Sequence, residues 1–573
     1  MKVAVVGSGV SGLAATWLLN EHSDHTVHLY ESDYRPGGHA NTVHYIPKGK
    51  GWQAGVDVDT GFIVFNPSTY PNFLRFLRLF PPKGKSSEWF SRFSRGSSSS
   101  TEVDQGITIN ETEMTFSISR DSGAFEWAGK NLATVFCQPY RLLDPGMWRM
   151  IYDVLRFNAC ARRVLLEDQY EEISIGEYLT KEGYSDAFRM NYLIPMTAAI
   201  WSTPPDKCFL DFPARTLIQF MYNHHLLQIT GKPSWMTIKG GSHKYVNQIL
   251  SKLPKEQYHI STPVTCVKTV TPDGSKKPQV IITTGNGEEV AYDHVILACH
   301  SDTGLKLLRA GNVTHDEERI LSQFQWNKNE AILHADEKLM PRSRIAWSCW
   351  NYLAFTKNNS DSKSTEGDDS SEFEETLYPE DPTDKGKVLL KPMTPVFSTV
   401  EVNQVSLYGP VLVTLNPPFE PDPETVFGRW KYEHPVLDSQ ALRAQQEMHK
   451  IQNKRSISFA GAYLKYGFHE DGFTSGLLAA CALDEDSGLP RLPHRNSPST
   501  VIPTRDRTVR PPFPIQHADR HLAVQRDSGF FFYYCMAKLF DRIEALGITV
   551  VLGVLGSFTL ALIACALGVQ DAA

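Results

Sequence analysis

Three glycines near the amino terminus have the spacing of a dinucleotide-binding turn. Gly7, Gly9 and Gly12 follow the apolar run Lys2–Val6, and a second apolar segment ends in Glu31. In this pattern one glycine makes the tight turn, one admits the backbone to a pyrophosphate, and one lets helix and strand pack closely. The sequence therefore predicts a strand, a helix over Leu13–Asn20 and a second strand. Together they form a dinucleotide site to which Ser11 belongs and at which Glu31 accepts ribose hydroxyls.

A second glycine turn comes soon after Glu31. Arg35, Gly37 and Gly38 place a guanidinium and a glycine pair where the chain must pass close to a diphosphate. Folds that bind only NAD do not need this turn. An alternating strand over Val56–Val64 then runs through Thr60 and Gly61, which we expect to form a further turn at the site.

This order of motifs resembles the flavin-containing amine oxidase superfamily. Further segments resemble an FAD-dependent subgroup that is similar to the domain fused to plant cyclopropane fatty acid synthases, namely Val58–Asn66, Trp127–Gly129, Tyr192–Ser202, Asn223–Leu226 and Trp350–Tyr352. Matching segments follow in the family's order, namely Lys239–Ser242, Ser261–Val267, Tyr292–Ala298, Ile457–Tyr463 and Glu470–Ala480. The resemblance implies non-covalent FAD and adds Val264, Gly461, Gly472 and Phe473 to the cofactor site. We expect a helix to begin at Gly472 and to direct its first amides at the flavin.

No motif identifies a catalytic residue. His469 and Tyr463 are the catalytic candidates because they lie beside the flavin segment, where a histidine titrating near neutral pH would serve as acid or base. Further candidates for substrate contact are aromatic residues and histidines: Trp201, His224, His225, Trp350, Tyr352 and Tyr466. Each of these side chains has the alternative of lying in a hydrophobic core.

Composition narrows the class of protein. The chain has 573 residues, 41% of them hydrophobic, and a formal charge of −7, which gives no sign of nucleic-acid binding. Its nine cysteines form no CxxC pair, so we expect neither a metal site nor a disulfide framework. No cysteine lies between Gly461 and Gly472, which also favours non-covalent FAD.

The carboxyl terminus has the composition of a membrane anchor. Leu546–Val569 contains no charged residue and no proline, and about 20 such residues span a bilayer. The aromatic run Phe530–Tyr534 and the cations Lys538 and Arg542 precede it, as at a headgroup boundary. We predict a transmembrane anchor over 528–573, joined by a Pro/Arg-rich linker over 486–527, in the endoplasmic reticulum or mitochondrial outer membrane with the enzyme in the cytosol.

The cofactor segments divide the rest of the chain. We predict an α/β fold in which a discontinuous Rossmann-type FAD-binding domain (1–80, 235–305 and 450–485) is interleaved with an α+β substrate domain (81–234 and 306–449). The predicted function is FAD-dependent oxidation of a small, lipophilic molecule at a CH–CH or CH–NH bond. The alternative is an FAD-binding membrane scaffold without redox chemistry; no second GxGxxG supports a built-in pyridine nucleotide domain.

Overall fold

The computed structural model describes residues 1–82, 106–170, 173–201, 212–228, 233–272, 277–357, 389–390, 394–398, 408–483, 508–516 and 529–547. The chain divides into two compact units. Unit 1 comprises 1–113, 223–328 and 432–521, and unit 2 comprises 114–222, 329–431 and 522–573. The two units are therefore both discontinuous in sequence.

A five-stranded parallel sheet organises unit 1. Its order is β21 (Ile457–Phe459), β13 (His294–Leu297), β1 (Lys2–Val6), β2 (Thr26–Tyr30) and β9 (Tyr258–His259). Successive side chains of β1 enter different cores, since Val3 and Val5 belong to one hydrophobic cluster and Ala4 and Val6 to another. A sheet buried on both faces explains why its strands are apolar runs without alternation.

Two helices cover one face of this sheet. Helix α1 (Val10–Glu21) follows β1, and helix α13 (His469–Cys481) packs against α1. Helix α2 (Pro71–Arg78) contributes to the same hydrophobic cluster. Unit 1 also contains two strand pairs, β3 (Thr42–Tyr45) with β4 (Val56–Asp59) and β5 (Ile109–Thr112) with β8 (Trp235–Ile238). A further sheet consists of β10 (Val264–Val270), β11 (Gln279–Thr284) and β12 (Glu289–Tyr292). The other helices of unit 1 are α9 (His243–Leu250), α10 (Ser301–Ala310), α11 (His315–Leu321) and α12 (Ser439–Glu447).

Unit 2 combines a sheet with helices. The seven-stranded sheet has the order β20 (Val426–Val436), β14 (Gln325–His334), β19 (Leu412–Leu415), β18 (Thr394–Ser398), β15 (Trp350–Ala354), β6 (Phe116–Arg120) and β7 (Phe125–Ala128), and its β14 and β20 include residues of unit 1. A further pair is β16 (Thr356–Lys357) with β17 (Leu389–Leu390). The helices are α3 (Leu132–Val135), α4 (Pro145–Cys160), α5 (Ile175–Lys181), α6 (Asp186–Phe188), α7 (Ile194–Trp201), α8 (Ala214–Asn223) and α14 (Phe530–Ala545).

The limits of unit 1 differ from the predicted limits of the FAD-binding domain. Unit 1 is larger because β5 pairs with β8 and because α10, α11 and α12 contribute to its second hydrophobic cluster. Part of the predicted linker over 486–527 also belongs to it. Phe513 stacks on Trp17 with ring centroids 6.0 Å apart, and Val509 and Ile515 are buried in the same cluster. Apolar side chains among the prolines and arginines therefore hold residues 508–516 on unit 1, where an extended linker was expected.

None of the helices in the described ranges is long and apolar enough to cross a bilayer. Helix α14 contains 16 residues, among them Lys538, Asp541, Arg542 and Glu544. The predicted span Leu546–Val569 lies outside the described residues except for Leu546 and Gly547, so it stays a prediction.

Candidate functional site

The first glycine turn lies between β1 and α1, at the carboxyl end of the parallel sheet. Gly7 has φ +104°, and a Cβ there would lie 2.9 Å from the carbonyl oxygen of Ala298. A Cβ on Gly12 would lie 1.8 Å from the carbonyl oxygen of Gly7, so the helix is held against the turn. A Cβ on Gly9, in contrast, would meet no atom within 4 Å. The turn thus leaves open space over Gly9, next to the amino end of α1, which no side chain caps.

Glu31 lies beside this turn, as its position after β2 predicts. One carboxylate oxygen accepts hydrogen bonds from the Ser8 amide (2.8 Å) and hydroxyl (2.5 Å), and the other accepts from the Asp33 amide (2.8 Å). The Thr262 amide donates to the carbonyl oxygen of Glu31 at 2.7 Å. That bond joins the acid to the loop before Val264, where β10 begins. Glu31 and Val264 therefore lie on neighbouring segments, as an acid at the ribose and a strand at the adenine require.

The second glycine turn folds back onto the first. Gly37 and Gly38 have φ +104° and +56°, and a Cβ on Gly38 would lie 3.2 Å from the Cα of Gly9. The Arg35 guanidinium donates to the Gly38 carbonyl oxygen at 2.8 Å, so it shapes its own loop. Gly38 of the predicted glycine pair thus lies next to Gly9.

Thr60 and Gly61 support this loop from behind. The Thr60 hydroxyl lies 2.8 Å from the Asn41 side-chain amide and 2.8 Å from the Tyr432 hydroxyl. A Cβ on Gly61 would come within 2.3 Å of the carbonyl oxygen of His39. Only glycine permits this approach, which sets the course of residues 38–41.

The carboxyl-terminal segment has a different geometry from the one expected. Helix α13 begins at His469, and Gly472 lies within it. A Cβ on Gly472 would lie 2.6 Å from Val10, and one on Gly476 would lie 2.0 Å from the carbonyl oxygen of Ser11. These glycines let α13 approach the first turn of α1 where Ser11 lies. Gly472 therefore serves helix packing and does not begin the helix, contrary to the prediction from the sequence pattern.

Two other residues of this segment also serve packing. The Gly461 amide donates to the Ser475 hydroxyl at 2.9 Å, which ties the end of β21 to α13. The Phe473 side chain is fully buried and lies 5.4 Å from the Phe73 ring. The Phe473 ring is therefore a core side chain.

His469 has an environment that differs from the expected one. Its ring stacks on Phe62 with centroids 3.7 Å apart, and its Nε2 lies 2.8 Å from the Tyr245 hydroxyl. Burial lowers the pKa of His469 to about 3. The imidazole is therefore neutral at physiological pH, and the expectation of titration near neutrality is wrong.

Tyr463 is a core residue. Its side chain is 1% exposed and makes edge contacts with Phe324 (4.9 Å) and Trp326 (6.0 Å). Burial raises the pKa of its hydroxyl far above the usual value. These contacts favour the core alternative for Tyr463.

Three histidines that no motif singled out gather beside the second glycine turn. His39 lies between the rings of Tyr432 (4.9 Å) and His434 (5.1 Å). His300, directly after β13, stacks on Trp326 at 3.8 Å, and its Nδ1 lies 3.2 Å from Glu433. The signal for His39 was its place after Gly37 and Gly38. His434 lies within β20, far along the chain, and had no signal.

All three imidazoles are held in the neutral form. Burial lowers the pKa of His39 well below its usual value, with the other histidines as a second cause. It lowers the pKa of His434 to about 4 and also lowers that of His300. The Nε2 of His39 is buried and makes no hydrogen bond within the described part of the chain. A bound ligand can therefore supply the partner that this nitrogen lacks.

A small cleft in unit 1 brings together two of the other candidates. His224 and Tyr466 line it with Phe468, Glu470 and Asp471. His225 is turned into a loop at φ +57°, with its Nδ1 3.0 Å from Gln228. In unit 2, Tyr352 is buried in the sheet core and Trp350 packs against it. Trp201 ends α7, and its side chain is outside the description.

The residues present fit an FAD. An open space faces Gly9, an uncapped helix end and a glycine pair border it, Glu31 lies at its side, and a buried imidazole nitrogen lacks a partner. Each is a feature that a pyrophosphate, a ribose or a flavin ring would use. Among the described residues, no three His, Cys, Asp or Glu side chains are grouped as metal ligands.

Comparisons with known proteins agree with this geometry. The family model for flavin containing amine oxidoreductase matches residues 10–484. The fold is similar to that of a fatty acid isomerase from P. acnes (TM-score 0.52, 13% identity, 85% of this chain and 98% of that chain). It is also similar to cyclohexylamine oxidase from Brevibacterium oxydans (0.52, 11%, 85% and 99%) and to a putrescine oxidase (0.51, 12%, 85% and 99%).

Proposed function

The chain belongs to the flavin-containing amine oxidoreductase family and is an FAD-dependent oxidoreductase, and on that premise we propose that it oxidises a small, lipophilic molecule at a CH–CH or CH–NH bond while anchored to a membrane by its carboxyl-terminal residues. Bound FAD supplies the two-electron acceptor for a hydride. The protein's own residues hold the cofactor and set the polarity around it.

Three neutral histidines beside the second glycine turn carry the proposal for a lipophilic substrate. His39, His300 and His434 offer hydrogen-bonding nitrogens without positive charge, and the rings of Tyr432 and Trp326 cover them. Such surroundings favour an uncharged reacting group over an ionic one. Because burial opposes their protonation, these imidazoles are suited to hydrogen bonding with an uncharged group and not to taking up a proton from the substrate.

Several cysteine environments support non-covalent FAD. Cys481 is buried in the hydrophobic cluster beside α1. Burial raises the pKa of Cys299 to about 12, so this thiol near the first glycine turn stays protonated. A protonated thiol is a poor nucleophile.

Absorbance spectroscopy of the purified full-length chain tests the redox function. We expect a yellow protein that releases FAD into the supernatant on acid precipitation and is bleached by anaerobic photoreduction. Lipophilic amines and CH–CH donors that bleach the flavin without light would then define the substrate class. A protein that binds FAD but cannot be reduced by light or by any donor would favour the alternative, an FAD-binding scaffold.

Alkaline extraction of membranes tests the anchor. We expect the unaltered chain to stay in the membrane pellet, and a tail variant carrying Leu552→Arg, Leu555→Arg and Leu562→Arg to be released, because arginine near the middle of a span opposes insertion. Attachment to the endoplasmic reticulum or the mitochondrial outer membrane, with the enzyme in the cytosol, is part of the proposal and is read from fractionation of the same two proteins. Release of both proteins would contradict the anchor and leave the flavin function intact.

A further inference from the structure

Helix α14 packs against α4 through one stripe of its surface. Tyr533, Met536, Ala537, Phe540, Asp541 and Glu544 recur every three or four residues along this stripe. Ala537 is buried with Ala159 and Cys160 of α4, and Met536 and Phe540 pack beside it. The stripe is what a helix needs in order to lie on a folded protein.

Both acidic side chains of α14 face inward. Asp541 accepts two hydrogen bonds from the Arg163 guanidinium, at 2.9 and 2.8 Å, and Glu544 accepts one from the Tyr152 hydroxyl at 2.7 Å. The Arg162 guanidinium lies 3.6 Å from the centre of the Tyr533 ring. The negative charges of the helix are therefore paired within unit 2.

The outer face of α14 is apolar and cationic. Phe531, Phe532, Tyr534 and Leu539 are 76%, 61%, 50% and 47% exposed. Lys538 and Arg542 are exposed on the same side of the helix, away from α4. Large exposed rings beside cations, with no acid among them, are typical of a helix that lies at a membrane interface.

Helix α4 carries two exposed apolar residues of its own. Tyr152 contacts Glu544 and Phe540 near the end of α14, whereas Cys160 lies near Ala537, so the two helices are antiparallel. Trp148 and Leu155, which are 49% and 41% exposed, fall on the same face of α4 as Tyr152. The end of α14 thus lies toward Trp148.

Helix α14 ends at a glycine before the uncharged stretch. Gly547 has φ +64°, and its amide donates to the Glu544 carbonyl oxygen at 2.9 Å. This left-handed residue closes the helix.

We propose that the outer face of α14, together with Trp148 and Leu155 of α4, docks on an anionic phospholipid bilayer. The rings and Leu539 enter the boundary between headgroups and acyl chains, and Lys538 and Arg542 lie against lipid phosphates. The inference deepens the proposed membrane attachment, because it names the surface of unit 2 that rests on the bilayer next to the anchor.

Vesicle flotation of the full-length tail variant (Leu552→Arg, Leu555→Arg, Leu562→Arg) tests the docking surface apart from the anchor. We expect it to float with phosphatidylcholine vesicles that contain phosphatidylserine, and to float less with phosphatidylcholine alone. Adding Phe531→Ser, Phe532→Ser and Leu539→Ser is expected to lower the partition coefficient about tenfold or more. Adding Lys538→Gln and Arg542→Gln instead is expected to lower it about tenfold on anionic vesicles only.

Matched controls come from exposed apolar residues elsewhere in unit 2. Ile345→Ser and Phe427→Ser, at side chains 58% and 41% exposed, are expected to leave flotation unchanged. All variants must keep the flavin spectrum and melting temperature of the parent; if the serine variant does not, the glutamine variant decides alone.

Three outcomes would overturn the proposal. The first is a tail variant that does not float on anionic vesicles although it binds FAD, which leaves the flavin function and the anchor standing. The second is flotation that neither set of substitutions changes. The third is a lipid-free dimer that the same substitutions dissociate, which would identify a second copy of the chain as the occupant of this face.

Discussion

Glu470, in the first turn of α13, caps α2 across 398 residues of sequence: its Oε1 accepts a hydrogen bond from the Asn72 amide at 2.9 Å. Its Oε2 accepts one from the Phe73 amide at 2.9 Å, and the Thr474 hydroxyl donates to Oε1 at 3.1 Å. Burial is the main reason that the pKa of Glu470 rises to about 8. A carboxyl that bridges two helices beside the flavin segment gives this part of unit 1 a stability that depends on pH.

Glu470→Gln is expected to destabilise the protein by about 1–3 kcal/mol, because the new amide group faces a backbone N–H at one of the two positions. The folded pKa lies above the usual 4.5, so the stability that the carboxyl contributes is full below pH 4.5 and is lost as pH rises through 8. Urea unfolding at pH 5 and 8.5 should show the parent losing a few kcal/mol more than the variant over this interval. Equal losses would contradict the raised pKa.

His469 is expected to make the stability of the protein fall, and not rise, as the pH is lowered. Its pKa is lowered to about 3 from the usual 6.5, so the unfolded chain binds the proton first and stability falls as pH drops below 6.5. Between pH 6.5 and 5 this group alone costs about 2 kcal/mol. In His469→Gln, unfolding measured over the same interval should lose less stability than in the parent; an unchanged slope would show that His469 already titrates normally.

Substitutions at Gly9 and Gly12 are expected to distinguish an effect on cofactor binding from an effect on folding. Gly9→Ala adds a methyl group to open space, so we expect a normal melting temperature and FAD affinity lowered by about tenfold or more, since the methyl group occupies the space above the turn. Gly12→Ala places a Cβ 1.8 Å from a carbonyl oxygen and is expected to impair folding itself. FAD fluorescence quenching and thermal melts measure the two effects. Full FAD affinity in Gly9→Ala would mean that the pyrophosphate does not lie there.

His39→Phe keeps the ring and removes the buried nitrogen. We expect the flavin absorption bands to shift and FAD affinity to fall about tenfold, because one hydrogen bond of about 1–1.5 kcal/mol is lost. His44→Gln is the control. His44 lies on β3, and its Nδ1 is 2.8 Å from a carboxylate oxygen of Asp57 on β4. If the spectra of the two variants and the parent coincide, His39 does not touch the flavin.

Phe513 tests whether residues 508–516 belong to unit 1. Phe513→Ala removes a ring that stacks on Trp17 and is 8% exposed. We expect a loss of about 2–4 kcal/mol of stability, which is in the range for a buried phenylalanine at the edge of a core. Chemical denaturation followed by flavin release measures it. A free linker would show no change.

The cofactor segments and their order could be predicted from sequence because each depends on local geometry. Gly7, Gly12, Gly37 and Gly38 are required by positive φ angles or by contacts between nearby residues, and such requirements leave a fixed spacing along the chain. The apolar residues of α4 and α5 likewise follow a local pattern, because their spacing reflects the period of the helix.

Only the tertiary structure decided which distant groups share an environment. The neutral state of His469, the role of Gly472 against α1, the packing of 508–516 on Trp17 and the gathering of His39, His300 and His434 all depend on burial and on contacts across hundreds of residues. Burial sets the pKa values of these histidines and leaves the His39 Nε2 without a hydrogen bond among the described residues. No local sequence pattern indicates how deeply a residue is buried. The sequence by itself determined that this chain holds FAD; tertiary packing decided the polarity and the charge around the residues that we predict to bind it.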